Sequence, residues 1–210
     1  MPTRRGITDM NTHLRKGTLA LAAMAAVAGA AAATTPAAAA TDPQFLAASE
    51  LPPHPHSAWV AGPVTAGQPD PLPMCVGAAL PSTSEHRVFR TDYDTAALQV
   101  TVVERSVQRA KDYVALLRED MSGCPHELVT QDPDVTATER FYGPLDVGDG
   151  AEVFGINTTT TWGATDINLF SIGRVGNVVT VVQWGEMGDF TNAPVDDFKQ
   201  TTITAVNKLS

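Results

Sequence analysis

The chain has 210 residues, of which 43% are hydrophobic, 18% charged and 6% aromatic. This length is typical of one domain with an accessory segment, or of two very small domains. The 14 basic residues are outnumbered by 23 acidic ones, which gives a formal net charge of −9. A chain this acidic repels phosphate backbones, so nucleic-acid binding through a basic patch is not expected.

The first 40 residues have the three parts of a secretory signal peptide. Arg15 and Lys16 form a positive flank, and an alanine-rich apolar run follows over residues 19–33. Small residues close the segment at 38–40. We therefore predict a signal peptide over residues 1–40 that is cleaved on export.

Two alternatives to a cleaved signal peptide fit the sequence less well. A membrane-spanning helix needs about 20 strongly apolar residues, and Thr-Thr-Pro at 34–36 interrupts the apolar run. A lipoprotein anchor needs a cysteine directly after the run, whereas the first cysteine is Cys75. We expect a secreted protein without a stable membrane anchor, with a disordered leader over 41–44 and one domain over 45–210.

Cys75 and Cys124 are the only cysteines in the chain. A metal site would need further ligands close in sequence, and a thioredoxin-type redox site would need C-x-x-C; neither pattern is present. Export places both thiols in an oxidising compartment, where disulfides persist. We predict a structural disulfide between Cys75 and Cys124, and no metal or cofactor.

The first part of the domain is rich in turn-forming residues. Residues 45–51 are expected to form a short helical turn, which ends at the Pro52-Pro53 pair. Residues 52–73 are crowded with proline, glycine and histidine, and predict a long loop, which is typically functional or mobile. Alternating patterns then indicate strands over 88–91 and 97–103.

The clearest helix follows these strands. Apolar residues recur at spacings of three and four, which places them on one stripe: Val103, Val107, Ala110, Val114, Leu117 and Met121. Gly123 is typical of a left-handed helix end, and Pro125 disfavours continuation. We expect the helix to end at Gly123, so that the disulfide at Cys124 fixes its end.

The second half returns to short strand-like runs and closes with a helix. Strands are predicted over 135–142, 151–160, 166–174 and 177–184, the last two forming a hairpin, and a final helix from about Asn192. The predicted fold is α+β, with a mainly antiparallel sheet of about six strands, two main helices and a single disulfide.

No motif in the chain predicts catalysis. Gly148-Asp149-Gly150 is a candidate phosphate-binding loop, but strand-like sequence lies on both sides of it, which favours a turn. No serine lies in a G-x-S-x-G motif. His54 and His56 flank a proline in the long loop, where solvated side chains are a simpler interpretation than a weak metal site.

Trp59 and Trp162 are the candidate ligand-binding residues. Trp59 lies in the long loop and Trp162 lies beside Gly163 between two predicted strands. Large aromatic side chains in such positions often contact ligands or partners. Packing over the edge of the sheet is the alternative for both.

The order of several short motifs resembles the PknH-type extracellular sensor domain of actinobacteria. The motifs are Ser49-Glu50-Leu51-Pro52 leading to Trp59, Pro73-Met74-Cys75, Arg87-Val88-Phe89, the helix ending in Gly123-Cys124, the 147–151 segment and the 173–179 segment. The resemblance covers about residues 45–209. It implies an antiparallel sheet packed by helices, a cleft for a small ligand, and no enzymatic activity.

Kinase-linked members of that family carry two disulfides, whereas this chain has cysteines for one. We expect a secreted, non-catalytic sensor or ligand-binding module of the cell envelope, with an unidentified small-molecule or cell-wall ligand. The alternative is a secreted protein-interaction domain, such as an inhibitor or chaperone-like factor with an envelope protein partner. A hydrolase with a scattered active site is the least favoured hypothesis.

Overall fold

A computed structural model describes residues 42–210 of the protein, so the predicted signal peptide over 1–40 lies outside the described residues. The strands are β1 (Val60–Ala66), β2 (Glu85–Arg90), β3 (Ala96–Val103), β4 (Val135–Leu145), β5 (Ala151–Thr160), β6 (Thr165–Val175) and β7 (Val178–Met187), and the helices are α1 (Val107–Gln131) and α2 (Val195–Asn207). The strands form one antiparallel sheet in the order β1–β2–β3–β7–β6–β5–β4. The predicted α+β fold is confirmed, with seven strands rather than six.

The additional strand is β1, in a region where the sequence predicts only loop. It pairs with β2 at the edge of the sheet, and the register shifts between Ala61 and Val64, around Gly62-Pro63. Proline is tolerated in edge strands and bulges because no ladder hydrogen bond is lost there. The same reason explains why β4, the other edge strand, continues past Gly143-Pro144 to Leu145 instead of ending at Tyr142.

Helix α1 does not end at Gly123, as the sequence predicts, but continues through Pro125 to Gln131. The reason is tertiary packing. Cys124 is fully buried on the helix's apolar stripe, and Leu128 packs against the same core one turn later. Burial of an apolar face supplies most of a helix's stability in a protein, and here it outweighs the local cost of proline.

The start of α1 also differs from the prediction. Val103 is the last residue of β3, and the helix begins at Val107 after an N-cap at Ser106. The Ser106 hydroxyl accepts a hydrogen bond from the Arg109 backbone N–H at 3.3 Å. Such a cap satisfies one of the free amides of the first turn.

The sheet carries an apolar layer on each face, because successive side chains of a strand point to opposite sides. Helix α1 covers one face, called here the α1 face, through strand residues Phe154, Ile156, Phe170, Ile172, Val179 and Val181. Helix α2 and residues 46–51 cover the other, the α2 face, through Phe89, Val153, Ile167, Leu169, Val182 and Trp184. The sheet is thus the middle of three layers.

Hydrogen bonds hold the N-terminal segment on the α2 face. The Leu46 N–H donates to Oε1 of the fully buried Gln99 at 2.7 Å, and the Leu46 carbonyl accepts from Arg87 Nη1 at 2.9 Å. The Gln44 N–H donates to the Lys208 carbonyl at 2.8 Å. A buried amide left unpaired would cost about 1–3 kcal/mol, so Gln99 favours this docked arrangement of the segment.

The predicted disulfide between Cys75 and Cys124 is confirmed, with 5.3 Å between the two Cα atoms. Because α1 extends to Gln131, the bridge meets the helix inside its length rather than at its end. It joins the helix to the segment that precedes β2.

We predict that Gly123→Ala raises the free energy of unfolding by about 0.5–1 kcal/mol, since alanine is the better helix former. Gly123 lies within α1, and its backbone φ is not in the left-handed region. A Cβ at this position would meet no atom within 4 Å. Urea denaturation of the oxidised protein measures the change.

The matched control is Gly176→Ala. A Cβ at Gly176 is equally free of neighbours, but its φ of +58° is left-handed, so alanine should cost about 1 kcal/mol there. A comparable loss for Gly123→Ala would contradict a continuous α1 and favour a helix that ends at Gly123.

Candidate functional site

A groove of about 510 Å³ opens on the α1 face of the sheet. Helix α1 packs mainly against β4, β5, β6 and β7 at one end of this face. The other end, where β6 begins and β7 ends, is bordered instead by residues 69–74, called here the wall segment. The floor consists of side chains from β2, β3, β5, β6 and β7: Val88, Leu98, Thr158, Asp166, Asn168 and Gln183. A groove of this size suits a small organic ligand.

Two amide side chains that contact each other form a polar part of the groove floor. Gln183 Nε2 donates a hydrogen bond to Asn168 Oδ1 at 3.1 Å. Asn168 is paired with Gly185 of β7, and a Cβ on Gly185 would overlap with Asn168 Oδ1. Glycine therefore gives the Asn168 amide the space in which it lies.

This amide pair leaves two hydrogen-bonding groups free. Within residues 42–210, Asn168 Nδ2 and Gln183 Oε1 have no protein hydrogen-bond partner. One is a donor and the other an acceptor. Because both residues are only partly buried in the groove, the floor offers one donor and one acceptor to a bound molecule.

The wall segment is held in place from its C-terminal side. Prolines at 69, 71 and 73 restrict its backbone, and the Gly77 N–H donates to the Pro73 carbonyl at 2.9 Å. Cys75 follows with a φ of +63°, which is uncommon for a residue other than glycine. Its bond to Cys124 connects the wall to the helix on the same face of the sheet. The groove is therefore formed before any ligand binds.

The charged side chains that line the groove are mostly acidic. Asp70 belongs to the wall segment, Asp94 to the β2–β3 turn and Asp166 to β6, and the guanidinium of Arg90 is their only basic neighbour among the lining residues. Asp94 Oδ2 accepts from the Met187 N–H at 3.4 Å, and Asp166 is paired with Met187 across β6 and β7. Asp94 and Asp166 thus flank the exposed end of β7.

A smaller cleft of about 220 Å³ lies on the α2 side, lined by Pro52, Pro53, His54, Trp184, Glu186 and Asn192 among others. Glu186 borders both clefts, and its carboxylate accepts from Thr95 Oγ1 at 3.2 Å. Burial raises the pKa of Glu186, while the Thr95 hydrogen bond and nearby His54 lower it in part, and Asp94 adds to the rise.

The two tryptophans predicted to bind ligand lie outside both clefts. Trp59 is half-buried, packs beside the α2-face core, and donates from Nε1 to the Pro52 carbonyl at 2.7 Å. Trp162 lies in the β5–β6 turn with 69% of its surface exposed. The structure does not bring the two residues together, and their contact with a ligand stays a prediction.

Sequence reasoning missed the residues of the groove floor. Their signal was present as polar and small residues within otherwise apolar strands, at Asn168 in β6 and at Gln183 and Gly185 in β7. Single polar residues in a strand are common, however. Only the pairing of β6 with β7 shows that these three residues meet.

The glycine-rich turn at 148–150 has a structural role. It connects β4 to β5, as the sequence predicts, and Asp149 Oδ2 accepts hydrogen bonds from Arg174 Nη1 at 2.8 Å and from the Gly176 N–H at 2.6 Å. The Arg174 side chain is only 10% exposed. These contacts fix the β6–β7 turn at the end of the sheet opposite the groove.

Neither a metal site nor a membrane-spanning helix is found among residues 42–210. No group of three or more His, Cys, Asp or Glu side chains in residues 42–210 is arranged to hold a metal ion. In the same part of the chain, neither helix combines the length and the apolar character needed to cross a membrane.

Neither a protein-family model nor a curated protein matches the chain. Among solved structures, the fold is similar to the crystal structure of the extracellular domain of PknH from Mycobacterium tuberculosis. The TM-score is 0.47 and the sequence identity 14%, over 73% of this chain and 85% of that chain. A similarity this distant does not assign the chain to a family, so membership of the sensor-domain family stays a prediction.

We predict that Glu186→Gln raises the free energy of unfolding relative to the wild type more at pH 7 than at pH 4. The raised pKa means that the folded state disfavours the charged carboxylate. This cost is absent when the group is protonated in both states, and it grows as the pH rises through the folded-state pKa. Urea denaturation at several pH values measures the difference, and a difference that is constant or larger at pH 4 would contradict the burial of Glu186.

Proposed function

We propose that the protein is an extracellular, non-catalytic binding module of the cell envelope that holds a small or cell-wall ligand in the groove on the α1 face. The observation that carries this proposal is the preformed groove with a free donor and a free acceptor at its centre, on Asn168 and Gln183. Apolar walls with a few placed polar groups are typical of small-molecule sites.

Two features support an extracellular location. The predicted signal peptide over 1–40 directs export, and the Cys75–Cys124 bridge belongs to the type of structural link that persists outside the reducing cytosol. Both cysteines of the chain are used in that bridge.

The polar groups of the groove can hold and orient a ligand. Its polar lining consists of two amides, several carboxylates, one guanidinium and the hydroxyl of Thr158. Such groups fix the orientation of a ligand through hydrogen bonds and charge. The proposal assigns them that role.

A second candidate function is protein interaction, and the exposed indole of Trp162 favours it. Tryptophan is enriched at the energetic centres of protein interfaces, and this one extends from the β5–β6 turn with 69% of its surface exposed. A partner that binds there would not need the groove.

We predict that Gly185→Ala abolishes or weakens ligand binding at least tenfold, about 1.4 kcal/mol, with little loss of stability. The added Cβ would overlap with the end of the Asn168 side chain, while the neighbouring Ile167 carbonyl lies at an ordinary contact distance of 3.5 Å. The Asn168 side chain can rotate away, and that rotation breaks its hydrogen bond with Gln183. A thermal-shift screen of the oxidised protein against soluble cell-wall fragments and common metabolites provides the ligand, and calorimetry measures its affinity for wild type and variant.

Trp162→Ala is the matched control and should bind the same ligand as the wild type does. Equal affinity of the Gly185→Ala variant and the wild type would contradict a site in the groove. Loss of binding in Trp162→Ala alone would favour the second candidate function. A compound that is chemically converted by the protein would overturn the non-catalytic assignment.

A further inference from the structure

We infer that the ligand of the groove carries a positively charged amine on an apolar body. This inference rests on the proposed function, and it adds the chemical class of the ligand. It follows from two properties of the lining residues, their exposed apolar surface and the sign of the charge beside it.

Three apolar side chains that line the groove are unusually exposed. The exposed fractions are 50% for Leu72, 40% for Val88 and 64% for Met187, and all three line the groove. They come from the wall segment, β2 and β7, so three separate elements contribute exposed apolar surface to the groove. Clustered exposed apolar groups mark a binding surface, and the flexible thioether of Met187 can adapt to varied shapes.

The charges beside this apolar surface select a cation. Asp94 and Asp166 both lie next to Met187, one through the hydrogen bond to its N–H and the other through strand pairing. Asp70 adds a third carboxylate from the wall segment, and Arg90 offsets one of the three. An anionic ligand would meet repulsion here, whereas an ammonium group gains attraction that a cleft with apolar walls strengthens.

The other polar groups of the lining do not oppose this selection. The amides of Asn168 and Gln183 are neutral and offer one donor and one acceptor. The carboxylate of Glu186 is engaged with Thr95 and belongs to the α2 face of β7. The sign of the preferred ligand charge is therefore set by Asp70, Asp94 and Asp166.

The experiment uses three probes with one apolar body and different head groups, which are 4-phenylbutylamine, 4-phenylbutanol and 4-phenylbutyrate. Calorimetry with the full oxidised mature protein at low salt should give at least fivefold tighter binding of the amine than of the alcohol, the factor expected for one charge contact in water. The carboxylate should bind most weakly. The advantage of the amine should shrink at about 0.5 M salt because ions screen exposed charges.

The double variant Asp94→Asn with Asp166→Asn keeps the shape of both side chains and removes two charges. It should reduce the advantage of the amine over the alcohol to less than twofold, because the amine loses its charge attraction. The control Asp112→Asn with Glu119→Gln removes the same formal charge from exposed positions of α1 that do not line the groove. That control should keep the full advantage of the amine.

The outcomes separate this inference from the proposed function. If the alcohol or the carboxylate binds as tightly as the amine, and Gly185→Ala weakens that binding, the charge inference is overturned while the groove remains a binding site. If the double variant and the control lose the advantage equally, overall charge rather than Asp94 and Asp166 is responsible, and the inference is overturned. If none of the three probes binds, the inference fails, and a cell-wall and metabolite screen without a hit would overturn the proposed function as well.

Discussion

The bond between Cys75 and Cys124 is the constraint on which the groove depends. It joins the wall segment to the interior of α1, and α1 is itself held by an apolar stripe on the sheet. In the chain-entropy model, closing a loop across the sequence separation of 49 residues restricts the unfolded chain by about 4 kcal/mol. The bridge therefore stabilises the fold and also sets where the wall lies relative to the floor.

The floor of the groove exists because the strand side chains on the α1 face change from apolar to polar along the strands. At the end covered by α1 the strand residues are apolar, as at Phe170 and Val181, and two positions along the same strands they are Asn168 and Gln183. A second helix over this end would bury their amides at a cost. A short, proline-rich wall borders the polar end instead, which leaves an opening. The boundary between the packed core and the groove therefore lies within single strands.

Sequence patterns predicted the helices and strands whose formation depends on residues close together in the chain. The β6–β7 hairpin follows from its turn residues, and the structure confirms it. The predicted apolar stripe of α1 is confirmed from Ala110 to Met121, whereas Val103 lies in β3 and Val107 is exposed. The strand β1 could not be predicted, because Gly62 and Pro63 are compatible with a strand only beside an existing edge. The extension of α1 through Pro125 likewise depends on burial of Cys124 and Leu128 against distant strands.

The site was less accessible to sequence reasoning than the fold. Asn168 and Gln183 are 15 residues apart in the chain, and they meet only because of the register of β6 and β7. The two tryptophans were predicted to bind ligand because of their large aromatic side chains. Trp59 instead donates a hydrogen bond to the Pro52 carbonyl, and Trp162 lies at the tip of the β5–β6 hairpin. The charge of the groove comes from three separate elements, which no local pattern combines. A large side chain is visible in a sequence, whereas the shape that several strands produce together is not.

The groove is preformed because the bond between Cys75 and Cys124 fixes its wall. Hydrogen–deuterium exchange of the oxidised and the reduced protein tests this claim directly. The Gly77 amide donates to the Pro73 carbonyl of the wall, and the Leu80 amide donates to the Gly77 carbonyl just after it. Both amides should exchange markedly faster after reduction, while amides of β7 keep their protection. Unchanged exchange at Gly77 and Leu80 after reduction would contradict this claim.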